Sequence, residues 1–136
     1  MSYAMSLALQ AAVFARLTAD AALGDLVGTA VFDALPPGDV PSIYVALGTE
    51  KVTDASDGSG AGAVHEFTVS VVTDRAGFAS AKGAAAAVSD ALLGAPLPLS
   101  RGRVIGFRFH KAAAARVGTG DTRRIDLIFR ARVSDD

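Results

Sequence analysis

The stretch Thr122-Arg123-Arg124-Ile125-Asp126-Leu127-Ile128-Phe129-Arg130-Ala131-Arg132-Val133 decides how this chain is read. Ile125, Leu127, Phe129, Ala131 and Val133 recur at every second residue, while Arg124, Asp126, Ile128, Arg130 and Arg132 occupy the alternate positions. Successive side chains of a strand point to opposite faces, so this is a strand with one apolar and one largely charged face. The preceding segment 103–111 repeats the pattern through Ile105, Phe107 and Phe109, with Arg108 on the opposite parity. Between them 112–121 ends in Gly118-Thr119-Gly120-Asp121, a loop signal that predicts an antiparallel hairpin. Paired in that way, Arg108, Arg124, Arg130 and Arg132 share one sheet face.

Upstream, Ile43, Val45 and Leu47 alternate in 42–53, and Phe67, Val69 and Val71 alternate with Glu66, Thr68 and Ser70 in 64–74. The linker 54–62, with Asp54, Asp57, Gly58, Gly60 and Gly62, has no apolar side chain larger than Ala and is expected to be a mobile loop joining these strands. If the arginine face is simply solvated, Glu50 and Glu66 of this acidic hairpin are expected to balance it locally. Met5, Leu9, Val13 and Leu17 recur every four residues, which predicts a first helix from Ser2 or Tyr3 to about Ala19. Asp20 is placed to cap a further short turn that Gly28 ends, and a short strand over 30–33 follows before Pro36, Pro37 and Pro41 break regular structure. Phe78, Ala81, Ala85, Val88 and Leu92 form one helical stripe, so a second main helix is expected over 76–93, capped by Asp74 and ended by Gly94. This order implies an α+β fold: an antiparallel β-sheet with two main helices packed on one face, in a single domain over 1–136.

Composition narrows the chemistry. The chain has 136 residues, no Cys and a formal charge of −1. That near-neutrality is a cancellation: residues 1–100 hold four basic and ten acidic side chains, residues 101–136 hold nine and four. Without cysteine there is no disulfide scaffold, thiol nucleophile or Cys-type zinc site. The apolar N-terminus lacks the basic region of a signal peptide, and no apolar run is long enough to span a membrane.

Gly58-Ser59-Gly60-Ala61-Gly62-Ala63 fits a dinucleotide-binding pattern, but that motif needs a helix next, and 64–71 alternates like a strand. Asp54 and Asp57 lack the partners of a calcium loop. His65 and His110, the two histidines, lie in different strands with no Ser-Gly elbow nearby. No catalytic, metal or cofactor-binding residue is therefore assigned. Ten of the thirteen basic residues are Arg, suited to bidentate carboxylate or phosphate contacts, and the competing reading is a solvated sheet face.

Pro41-Ser42-Ile43-Tyr44-Val45-Ala46-Leu47-Gly48, the strand His65-Glu66-Phe67-Thr68-Val69-Ser70-Val71-Val72 leading to Gly77-Phe78, the helix end Val88-Ser89-Asp90-Ala91-Leu92 and the closing Arg123-Arg124-Ile125-Asp126-Leu127 together resemble the tail completion (tail terminator) family of long-tailed phages, in particular that of alphaproteobacterial gene transfer agents. The resemblance implies a structural virion protein, not an enzyme, without cofactor. It implies a homo-hexameric ring that caps the head-proximal end of the tail tube, stops tube polymerisation and takes part in head-tail joining. The partners it implies are the major tail tube protein and a head-tail connector or stopper protein, with DNA passage through the lumen without specific binding and no membrane. The implied location is the tail neck of the particle, assembled in the bacterial cytoplasm. Within that frame Arg108, Arg124, Arg130 and Arg132 are subunit-interface or lumen candidates, and the loop residues Asp54, Asp57, Gly58, Gly60 and Gly62 are docking candidates. The alternatives are a head-tail connector or, further off, a non-specific nucleic-acid-binding module.

Overall fold

Met5, Leu9, Val13 and Leu17 are all shielded from water, as their four-residue spacing requires, and they seat α1 (Ser6–Ala19) on a β-sheet. The structure is a computed structural model that describes residues 3–58, 60–118 and 120–135. The expected helix start at Ser2, and Ser59 and Thr119 in the hairpin loops, lie outside the described residues. Asp20 caps α2 (Ala21–Val27) by accepting the Leu23 N–H at 2.9 Å, and Gly28, with φ +63°, ends it in a conformation that favours glycine. The other main helix, α3 (Ala79–Leu93), buries Ala81, Ala85, Val88 and Leu92. Its small side chains let the helix lie close to the sheet, and each fully buried Leu or Val contributes about 1.5–3 kcal/mol relative to exposure.

The strands are β1 (Val31–Phe32), β2 (Ile43–Asp54), β3 (Gly62–Thr73), β4 (Arg103–Arg116) and β5 (Arg123–Ser134), in one sheet of order β1-β2-β3-β5-β4. The four long strands pair antiparallel, as expected, while β1 adds to β2 in parallel. A two-residue strand that follows α2 enters the sheet in the direction of β2, and so makes the sheet mixed. All three helices cover one face, where Phe67, Phe107 and Phe129 meet with ring centroids 5.7–5.8 Å apart. No single helix among the described residues is long and apolar enough to cross a membrane; α1 and α2 meet at a 74° bend.

Several local expectations are corrected. Asp74 does not cap α3: Gly77, with φ +73°, turns the chain, the helix begins at Ala79, and the Asp74 N–H bonds to the Ser42 carbonyl. β4 runs to Arg116, so Ala112–Arg116, expected to be loop, pairs with β5 residue for residue. Irregularities at Val104/Gly106 and Phe109/Lys111 break the alternation of β4; Ile105, at the first of them, is exposed, whereas Phe109 keeps the parity of Phe107, meets the Phe129 ring edge-on and is exposed on the outermost strand. The segment 54–62 is tied down: the Ala55 N–H bonds to the Gly62 carbonyl, Asp57 bridges Gly60, and the Asp135 N–H bonds to the Ala61 carbonyl. It extends the β2–β3 hairpin and lies against the end of β5.

Candidate functional site

The face of the sheet turned away from the helices carries the basic residues. Pairing sets Lys51, Glu66, Arg130 and Arg108 in one row across β2, β3, β5 and β4. Arg108 and Arg130, of like charge, stand directly opposite, an arrangement that Glu66 offsets from one side only. Arg130 Nη2 lies 3.3 Å from Glu66 Oε1, and His110 Nε2 approaches the same oxygen at 3.7 Å. Arg108 has no acidic partner among the described residues. Arg132 donates through Nη2 to the Ala55 carbonyl at 3.2 Å and thereby joins the face to the 54–62 loop.

Gly106, opposite Arg132, has no side chain to fill the space between the strands. The result is a shallow depression of about 460 Å³ bounded by Val64, Phe107, Arg108, Arg130 and Arg132. Three of the four candidate arginines therefore converge on one basin. A second groove beside it is lined by Asp57, Gly60 and Gly62 of the loop together with Arg103, Ile105 and Arg132, so Arg132 is common to both. Guanidinium groups gathered in this way can take a carboxylate or a phosphate through paired N–H donors.

Arg124 lies apart, six residues along β5 from Arg130, roughly 20 Å at the rise of a strand. Its Nε donates to Asp126 Oδ1 at 2.8 Å and its Nη2 to Ser70 Oγ at 3.1 Å, while Ser70 Oγ donates to Asp126 at 2.6 Å. Partial burial raises the Asp126 carboxyl, but the bonds from Ser70 and Arg124 outweigh it and hold the group below the usual carboxylate range. Asp54 is also held low, by the hydroxyl and amide of Ser56 at 2.7 and 3.2 Å, in a local turn at the loop entrance. Gly58 is exposed at the loop tip.

Glu50, expected to balance the arginines, lies on the opposite, helix-covered face. A bulge sets Gly48 and Thr49 together against Thr68, and this extra residue flips the parity of everything after it. Glu50 instead accepts from Tyr3 at 2.5 Å and Ser6 at 2.6 Å, and it faces Nδ1 of the fully buried His65 at 2.9 Å. Burial raises the Glu50 carboxyl, yet the bonds from His65, Ser6 and Tyr3 prevail and keep it below its ordinary value. Its acceptor role makes His65 Nδ1 the donor, and His65 Nε2 is buried with no hydrogen-bond partner among the described residues. With His65 beneath the helices and His110 on the other face, the two histidines do not converge. Sequence reasoning missed this cluster because the parity of Glu50 depends on a bulge.

The open face of this helix-backed sheet gathers arginines around a shallow basin and beside the 54–62 loop, a surface suited to contact with another macromolecule. The sequence matches the family described as Tail completion protein gp17 over residues 11–134, and the chain belongs to that family. Among solved structures it is similar to a chain of "Virion of native gene transfer agent (GTA) particle", with 65% identity, 98% of this chain and 99% of that chain covered, and a TM-score of 0.93. No curated protein matches. The chain is accordingly a structural protein of a phage-like virion tail, in contact with other proteins of the particle.

Proposed function

We propose that this protein is the tail terminator of a gene transfer agent particle, a single-domain chain that forms a hexameric ring at the head-proximal end of the tail tube. The observation that carries the reading is the 65% identity and TM-score of 0.93 over nearly the full length of both chains to a component of such a particle. In this role the ring ends tube growth, presents its other surface to the head-side connector and lets DNA pass without reading it. It acts by occupying the last layer of the tube, with no chemical step and no cofactor.

The basin of Arg108, Arg130 and Arg132 and the 54–62 loop supply the polar contacts, to a neighbouring subunit, the tube protein or a lumen that tolerates DNA. Because Arg124 and Arg130 are already matched by Asp126 and Glu66, Arg108 and Arg132 are the arginines best placed for a partner. Negative-stain images and native mass of the purified protein, alone and with tail tubes, test the reading. A six-membered ring capping one tube end is expected. A protein that ignores tubes and is retained on DNA in a salt-dependent manner would overturn it in favour of a nucleic-acid-binding module.

A further inference from the structure

The strand order puts β1 at one edge of the sheet and β4 at the other. Charge is segregated between them. Residues 17–43, which lead into and out of β1, contain Asp20, Asp25, Asp33 and Asp39 and no Lys or Arg; residues 101–118, which contain β4, hold Arg101, Arg103, Arg108, Lys111 and Arg116 and no Asp or Glu. Five strands separate the edges by roughly 19 Å at the usual interstrand spacing. That exceeds the screening length of about 8 Å at physiological salt, so the two blocks do not neutralise each other within one molecule.

Both edges also expose apolar side chains. Leu35 and Val40, in the connector 33–42, are 50% and 43% accessible, and Ile105 and Phe109 on β4 are 50% and 43% accessible. The helices stop short of the distal half of β4: Ala112 and Ala114 are exposed although their partners Leu127 and Ile125 are buried. A fourteen-residue edge strand is an open invitation to pairing, but β4 against a second β4 would oppose two basic blocks. β1 is two residues long and is followed by Pro36, Pro37 and Pro41, which have no N–H to continue a ladder.

We propose that the β4 edge of one copy packs against the β1 edge of the next, with Ile105 and Phe109 meeting Leu35 and Val40 and the blocks of opposite charge setting the orientation. The contact is head-to-tail, of two different surfaces, which is what a closed ring requires. It is made by side chains and not by a continued ladder, so successive copies can rotate into closure. The inference rests on the ring reading and specifies which surfaces of that ring touch.

The absence of cysteine makes a clean test possible. Leu35→Cys with Ile105→Cys, and Val40→Cys with Phe109→Cys, are introduced into the full chain and assembled particles are treated with a short bismaleimide. The expected result is a ladder of linked oligomers beyond the dimer in each double variant, and monomer in every single variant. Dimers from Ile105→Cys or Phe109→Cys alone would show β4 facing β4 and overturn the proposal. So would monomer alone from both double variants in particles that still contain the ring by image. Absence of any ring in the wild type would instead defeat the ring reading itself. As a second measurement on exposed residues, Arg108→Glu with Lys111→Glu is expected to weaken self-association about tenfold or more, and adding Asp33→Lys and Asp39→Lys to restore it. Failure of the added pair to restore association would likewise overturn the edge assignment.

Discussion

His65 Nδ1 and Glu50 Oε2 lie 2.9 Å apart beneath the helices, brought to one face by the bulge at Gly48–Thr49. Glu50 also receives the hydroxyls of Tyr3 and Ser6, so a single carboxylate ties β2, β3 and the start of α1 together. Truncating one partner leaves the other without its bond in a buried place. Glu50→Ala and His65→Ala are each expected to cost about 1–3 kcal/mol in urea denaturation, with a coupling of about 0.5–3 kcal/mol in a double-mutant cycle. Strictly additive losses would show that the pair is not an energetic unit.

Acid sensitivity follows from the same carboxylate. Glu50 and Asp126 are both held below their ordinary values in the folded protein, so the folded state binds fewer protons than the unfolded chain as pH falls. Their contribution is complete above the unfolded carboxylate range, about 4, and is lost as pH drops through the lower folded values. Denaturation midpoints measured from neutral pH downward should decline below that range. The decline should be shallower in Glu50→Gln and in Asp126→Asn.

Gly102 adopts φ +70°, and a Cβ there would run into the Ser134 carbonyl and Met5 Sδ. Neither neighbour can retreat freely, since Met5 is fully buried and Ser134 is paired in the sheet. Gly102→Ala is expected to destabilise by about 2 kcal/mol or more, combining strained φ with overpacking. A thermal midpoint equal to the wild type would contradict the geometry.

Arg16 reaches from the last turn of α1 to the end of α3, donating to the carbonyls of Ala91, Ala95 and Pro96 at 3.2, 3.0 and 2.9 Å. Those oxygens belong to a helix terminus and the turn after it, where carbonyls lack helical partners. Arg16→Met keeps the aliphatic stem but removes the donors, and should cost about 1–2 kcal/mol. The expected companion effect is faster amide exchange in the last turn of α3.

On the ring reading Arg132→Glu should disturb ring formation or tail docking, and loss of the bond to the Ala55 carbonyl should cost about 0.5–1.5 kcal/mol at this exposed position. Arg130→Glu is a different experiment, because it sets a second carboxylate beside Glu66 and is expected to lower stability as well. Shortening 55–61 to a tight turn should impair docking if the loop contacts a partner. Normal tail length and normal particle-borne transfer in both Arg132→Glu and the shortened loop would remove these residues from the interface.

Alternation and helical spacing were enough to place Met5, Leu9, Val13 and Leu17 in the core and to set Arg108, Arg130 and Arg132 on one face, because within an unbroken element periodicity is a local property of the backbone. The tail completion likeness was legible for a related reason: it is carried by the order of such elements along the chain. What the sequence could not reveal depends on pairing between distant segments. The bulge that turns Glu50 inward exists only against Thr68, the irregularity at Ile105 exists only against β5, and the anchoring of 54–62 needs the end of β5 beside it. Local chemistry determined which residues share a face; the non-local strand order alone decided that acidic and basic segments end at opposite edges, too far apart to satisfy each other within one molecule.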